Sequence, residues 1–347
     1  MHIHRPDLDR AAQSGVISPS QAQALWTFWA QETPDTPRFR TSHVLYYLGG
    51  LLALAAMTLL VTTAWNRLGA WGLIATSLSY GAIALTLCHQ LQHHPHWIIP
   101  AGLMAGLVVA LTPMAIYGLQ ALAGWWPIGT AYRDYHRLID GRWMLMELGT
   151  LAVGAAMLWR YRLAFIMLPV AITLWAASMD LAPLLAEHLH DVDQHWLWRY
   201  RISMVAGALM VLLGFLVDLR LGRRPDFAFW LYVIGVMVFW GGMTQLLERS
   251  DWGWVIRPGV DLILIALGVV LNRRVFVVFG AISTSTWLYH LASVVFRDSA
   301  WFPLILSLLG LAIVGVGIWW QRHEAVIQAR LQGVLPAALR DLLSNAH

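Results

Sequence analysis

From residue 44 to residue 320, apolar residues come in blocks of about 20, separated by clusters of Arg, Trp, His and Pro. A helix rises 1.5 Å per residue and needs about 20 apolar residues to cross about 30 Å of hydrocarbon. The pattern predicts ten spans, at 44–65, 69–88, 98–122, 143–159, 163–184, 201–219, 227–247, 257–272, 275–296 and 302–320. The expected fold class is all-α, a polytopic transmembrane helix bundle of about ten spans with short amphipathic helices at both termini.

Outside the blocks the pattern changes. "RPDLDRAAQSGVISPSQAQALWTFWAQ" reads as two short helices: Gly15 ends the first, Ser18 caps the second, and Pro19 sits in its first turn. Ala22, Leu25, Trp26 and Trp29 then share one face, which suits the bilayer surface, the inner loops or a cytoplasmic protein partner. "ETPDTPRFR" is a Pro-broken linker, and the tail after the last span is amphipathic but interrupted at Gly333 and Pro336. The expected organisation is a cytoplasmic hairpin and linker over 1–40, the bundle over 41–320 and a cytoplasmic tail over 321–347. No signal-peptide pattern precedes the first span, which is expected to act as its own insertion signal.

Composition strengthens the membrane reading: 59% of residues are hydrophobic and 12% charged, against about 25% charged in an average soluble domain. All 23 basic residues are Arg. They are scattered between spans and form no dense stripe, which argues against nucleic-acid binding. With the amino terminus inside, 14 Arg fall on inner segments and nine on outer loops. This bias places both termini in the cytoplasm and the chain in an inner (cytoplasmic) membrane, with the lipid bilayer as its first partner. Many of the 20 Trp sit at span ends, where an aromatic belt accounts for them without a cofactor. The single Cys88 rules out an intrachain disulfide and is read as a small core residue.

Ionisable side chains inside apolar blocks are the informative exceptions. Asp180, in "TLWAASMDLAPLL", lies about 9 Å to the outer side of the midpoint of the fifth span. Glu147, Asp261, His290 and Gln245 reach a similar level on spans four, eight, nine and seven. Small residues share a face with three of them: Thr173, Ala176 and Ala177 with Asp180, Ser283 and Thr286 with His290, and Thr150 and Gly154 with Glu147. These three are expected to point into the bundle. Asp261 shares its face with Leu264 and Ile265, so its direction is open. A charge at membrane depth is unfavourable unless it faces protein or water, which makes the set a candidate outward-facing polar pocket, open to the outer side, for a small solute, a cation or a proton. The structural alternative is that Asp180 and Glu147 cap helix ends or pair with Arg257 or Arg142. Asp218, at the inner end of span six, reads as a partner for Arg220 or Arg223.

"EHLHDVDQHW" offers His188, His190, Asp191, Asp193 and His195 as metal-ligand types in one outer loop, at no closed-site spacing. "HQLQHHPHW" reads as an inner loop. Gly102 and Gly106 match a small-residue packing pattern, and Pro113 and Pro169 could each unwind a span. Phosphate-loop, dinucleotide, metalloprotease and nucleophile-elbow motifs are lacking, and no cofactor is indicated.

"YYLGGLLALAAMTLLVTTAWNRLG", "YRDYHRLIDGRWMLMELGTL", "LWAASMDLAPLL", "DFAFWLYVIGVMVFWGG" and "NRRVFVVFGAISTSTWLYHLASVVFRDSAWFPL" resemble a group of bacterial polytopic membrane proteins known only as a domain of unknown function. The resemblance implies a multi-pass membrane architecture and carries no activity. Three functions stay open: transport or binding of a small solute or ion at the polar pocket, a non-transporting scaffold or sensor working through the terminal helices, and a membrane-embedded enzyme on lipid-linked substrates.

Overall fold

The computed structural model describes residues 14–32, 69–94, 97–126, 141–185, 192–221, 225–250, 252–271 and 273–291, with isolated positions elsewhere. The chain divides into two units, Met1–Ala56 and Met57–His347. In the first, α1 (Pro19–Glu32) begins as the sequence suggests. Gln21 N–H donates to Ser18 Oγ at 3.1 Å, and Ser18 N–H donates to Gln21 Oε1 at 2.8 Å. This reciprocal capping box satisfies two backbone donors at the helix start. Gly15 precedes it at φ +76°, in the left-handed region.

The described residues of the second unit form helices and the short turns that join them. They contain α2 (Gly69–Leu91), α3 (Ile98–Leu122), α4 (Gly141–Tyr161), α5 (Met167–Leu185), α6 (Val192–Leu221), α7 (Ala228–Glu248), α8 (Gly253–Val270) and α9 (Arg274–His290), with a 3₁₀ turn, Ala164–Ile166, before α5. A helix thus stands at each of the second to ninth predicted spans. The first and tenth spans, the "RDYHRLID" stretch and the tail after residue 320 lie outside the described residues, apart from isolated positions. Four stretches, Gly69–Leu91, Ile98–Leu122, Trp196–Leu221 and Ala228–Glu248, are long and apolar enough to cross a membrane. Their outward faces carry exposed Leu78, Ile83, Leu209, Leu212 and Met237, apolar surface that hydrocarbon accepts and water does not. Pro113 does not break α3, and Pro169 sits in the first turn of α5, where its missing N–H has no helical partner to lose.

Neighbours in sequence pack as neighbours in space, in four apolar cores. Leu73, Met114, Tyr117, Trp126 and Met146 join α2, α3 and α4. Cys88, fully buried, lies with Ala101, Ala105, Val109, Met157 and Ile166. Met167, Ala171, Met210, Leu231 and Val238 join α5, α6 and α7, and Tyr232, Val236, Leu264 and Phe276 tie α7 to α8 and α9. The tightest crossing is α6 on α7. A Cβ on Gly207 would lie 2.3 Å from Phe239 N, and one on Gly242 would lie 2.6 Å from Tyr200 O. Main chains touch there because each helix places glycines seven residues apart, Gly207 and Gly214 facing Gly235 and Gly242. The Gly102–Gly106 pattern on α3 instead receives the ring of Phe165.

Candidate functional site

The predicted polar residues fall into two centres on different helices. In the first, Glu147 on α4 is buried, at 7% exposure, and Asp180 on α5 is half-buried. Their carboxyl groups face each other within hydrogen-bonding reach. Two carboxylates both accept, so that contact needs a proton on one of them or a cation between them. Glu147 Oε1 is buried with no hydrogen-bond partner. Local packing explains the approach: Gly154, two turns after Glu147, lets Val170 of α5 come within 2.6 Å of where a Cβ would stand. Thr150, between them, directs its hydroxyl to Met146 O at 2.7 Å and does not compete for the carboxyls. Ser203 of α6 reaches Met179 Sδ at 3.5 Å, beside Asp180.

Arg142 and Arg257, the arginines offered as structural partners, also make contacts of their own. Arg142 donates to Trp125 O at 2.6 Å and stacks over the Trp126 ring at 4.4 Å. Arg257 lies 3.8 Å from Glu248 Oε1. Among the described residues no arginine forms an ion pair with Glu147.

The second centre is built on α8 and α9. Asp261 has no exposed surface, and the polar groups facing it are Ser283 and Arg257. Neither carboxyl oxygen has a hydrogen-bond partner. Ser283 is itself fully buried and accepts a hydrogen bond from Trp240 Nε1 at 2.7 Å. Gly280 makes the crossing possible, since a Cβ there would stand 3.0 Å from Asp261 O.

His290 behaves otherwise than its face suggests and is exposed. Phe276, Gly280 and Ser283 on the same stripe are buried. The antiparallel register that sets Gly268 against Val277 and Gly280 against Asp261 brings His290 level with the first residues of α8, where the covering helix stops. Gln245 is half-buried on α7. That helix packs on α5 and also on the α8–α9 pair, whereas α8 and α9 make no substantial contact with α4 or α5.

At the other end of α7 lies a charged cluster that sequence reasoning assigned differently. Asp218 pairs with Arg273, and not with Arg220: Arg273 Nε donates to Asp218 Oδ2 at 3.2 Å and its NH2 to Oδ1 at 2.5 Å. NH1 of Arg273 bonds Asp226 Oδ2 at 2.5 Å, and Tyr232 O–H donates to Asp218 Oδ2 at 3.0 Å. Burial works against the Arg273 charge, yet the hydrogen bonds and charges of Asp226 and Asp218 outweigh it and raise its pKa further. Arg223, the other expected partner, lies outside the described residues. No local signal announces a contact across 55 residues.

Of the loop residues with metal-ligand chemistry, His188, His190 and Asp191 lie outside the described residues; Asp193 and His195 fall in the first turn of α6, their side chains undescribed. Among the described residues, no three His, Cys, Asp or Glu side chains gather as a metal site. In "HQLQHHPHW", Gln92 Nε2 and His89 Nδ1 are 3.0 Å apart and His89 packs edge-on against His93, a local arrangement at the end of α2.

No family model, no curated protein and no solved structure matches the chain.

Proposed function

We propose that the chain is a multi-pass inner-membrane protein of about ten spans, with both termini cytoplasmic, that moves or binds a small solute or ion, and that Glu147 and Asp180 are its cation- or proton-binding pair. The observation that carries this reading is the meeting of the two carboxyl groups across α4 and α5, within an apolar helical unit. Intramembrane carboxyls are unfavourable unless they hold something, and two facing each other suit a species with one positive charge. A proton or monovalent cation bound there neutralises the repulsion, and its release restores it. Binding and helix spacing are thereby coupled, the elementary step of ion-driven transport.

The test is a flux assay in proteoliposomes under an imposed proton or sodium gradient. The reading expects gradient-driven uptake or release by the native chain that is lost in Glu147→Gln and in Asp180→Asn, with both variants still folded. Gradient-driven flux equal to native in both folded variants sinks it. A chain that moves nothing but releases a co-purifying protein when residues 1–35 are deleted would be the scaffold instead.

A further inference from the structure

Arg257 and Asp261 stand one turn apart on α8, about 6 Å between their Cβ atoms by helix geometry. Both are more than nine-tenths buried. They form no ion pair with each other; Arg257 NH1 instead lies 3.8 Å from the mostly exposed Glu248 carboxylate, beyond hydrogen-bond reach, and hydrogen bonding leaves over both oxygens of Asp261 and the Nε of Arg257. Arg273 shows the alternative within the same protein, with every guanidinium nitrogen used on a carboxylate. One end of the α8–α9 hairpin is therefore tied to α6 and the start of α7, while the other holds two opposite charges that do not reach each other.

Burying an ion without hydrogen bonds is unfavourable by several kcal/mol. A simple cation on Asp261 would sit within a turn of the Arg257 guanidinium, and a simple anion on Arg257 within a turn of the Asp261 carboxylate; each meets repulsion. A solute carrying both charges meets neither, its carboxylate taking the place that the mostly exposed Glu248 holds beside Arg257. We propose that Arg257 and Asp261, with the hydroxyl of Ser283, form a binding site for a small zwitterion of the amino-acid class, its ammonium on Asp261 and its carboxylate on Arg257. Trp240 holds the Ser283 oxygen from α7, fixing the hydroxyl on the face it shares with Asp261. The site goes beyond the Glu147–Asp180 reading and stands without it, because it uses different helices.

Binding to the purified full-length chain in detergent micelles tests this, by titration calorimetry and by the shift in thermal midpoint. Glycine and glycine betaine are the probes, with ethylamine and acetate as single-charge controls. Saturable binding of a zwitterion, with neither control binding, is expected. Asp261→Asn and Arg257→Gln should each weaken it by about thirtyfold or more, since each strips a buried charge from its partner. Ser79→Ala, whose hydroxyl bonds Ala75 O on an exposed face of α2, should leave it unchanged. Failure of both zwitterions to bind, equal binding by either control, or zwitterion affinity indifferent to both substitutions overturns the proposal. If those two variants do not fold, Ser283→Ala decides: a loss of about fivefold is expected from one missing hydrogen bond. Ser285→Ala, whose hydroxyl bonds Ala281 O on an exposed face, should match the native chain. Equal affinity of Ser283→Ala and the native chain is then the overturning result.

Discussion

Asp218 and Arg273, 55 residues apart, meet in a two-pronged ion pair that joins the end of α6 to the connection between α8 and α9. Both partners are buried, and each gains one further hydrogen bond, Asp218 from Tyr232 and Arg273 to Asp226. Removing one partner of such a pair strands the other in a low dielectric, with a loss of about 3–5 kcal/mol. Asp218→Asn and Arg273→Gln should each lower the thermal midpoint strongly. Arg273→Lys should rescue little, because a lysine offers no planar fork to two carboxylates.

The pH dependence of that contribution has a definite sign. A cation whose folded pKa is raised adds stability that is fully present below its unfolded pKa and is lost only as pH rises through the folded one. An unfolded arginine already keeps its proton far above neutral pH, and the folded-state value of Arg273 is raised further. The stability gap between native chain and Arg273→Gln should therefore stay level from about pH 6 to about pH 10. A gap that closes within this alkaline range would show that Arg273 is not the group holding the cluster.

How much of this was legible beforehand depended on whether the signal was local. The Ser18–Gln21 cap and the Gly15 turn were readable because helix ends are written within four residues. Asp218 reads as a partner for a nearby arginine for the same reason, and the structure differs because its partner comes from another hairpin. The direction of Asp261 is not legible locally because Leu264 and Ile265 share its face. Apolar neighbours do not separate protein-facing from lipid-facing positions, since lipid tails are as apolar as leucine. Gly280, opposite, was the better clue. His290 had small residues on its face but no helix left to cover it, a matter of register between α8 and α9 that neither helix encodes alone.

The glycine crossing of α6 and α7 makes a sharp prediction. Gly207→Leu and Gly242→Leu place atoms where Phe239 N and Tyr200 O already stand, and backbone cannot step aside as a side chain can. Each should destabilise by about 3 kcal/mol or more, at the upper end for overpacking. Gly241, one residue away, has nothing within 4 Å of its Cβ position. Gly241→Leu should unfold at the native temperature within experimental spread, and comparing the thermal midpoints of the three variants is the check.

The facing carboxyls of Glu147 and Asp180 predict coupling. Gln or Asn keeps the shape of the acid and brings its own N–H donor, so either single substitution preserves a hydrogen bond between α4 and α5 while removing like-charge repulsion. Glu147→Gln and Asp180→Asn should each unfold at or above the native temperature. Their effects should fail to add by about 0.5 kcal/mol or more, as expected of groups in contact. Strict additivity in a double-mutant cycle would mean that the two carboxyls do not sense each other.

The junction of α3 and α4 is held by a polar chain inside an apolar core. Trp126 Nε1 donates to Gln120 Oε1 at 3.0 Å, Gln120 Nε2 donates to Arg142 O at 3.0 Å, and the Arg142 guanidinium returns over the Trp126 ring. Gln120 is 4% exposed, so its amide relies on these bonds alone for relief from desolvation. Trp126→Phe deletes the donor to Oε1 and also thins the ring under Arg142. Gln120→Leu removes the amide altogether and frees two groups, one of them the indole N–H. Each should cost about 1–3 kcal/mol, the penalty for a buried polar atom left without its partner. Combining them removes both sides of the same hydrogen bond, so the double variant should be less destabilised than the sum of the singles. Denaturant titration of the four chains measures this, and a sum that holds would mean that the Trp126–Gln120 bond contributes nothing to the α3–α4 junction.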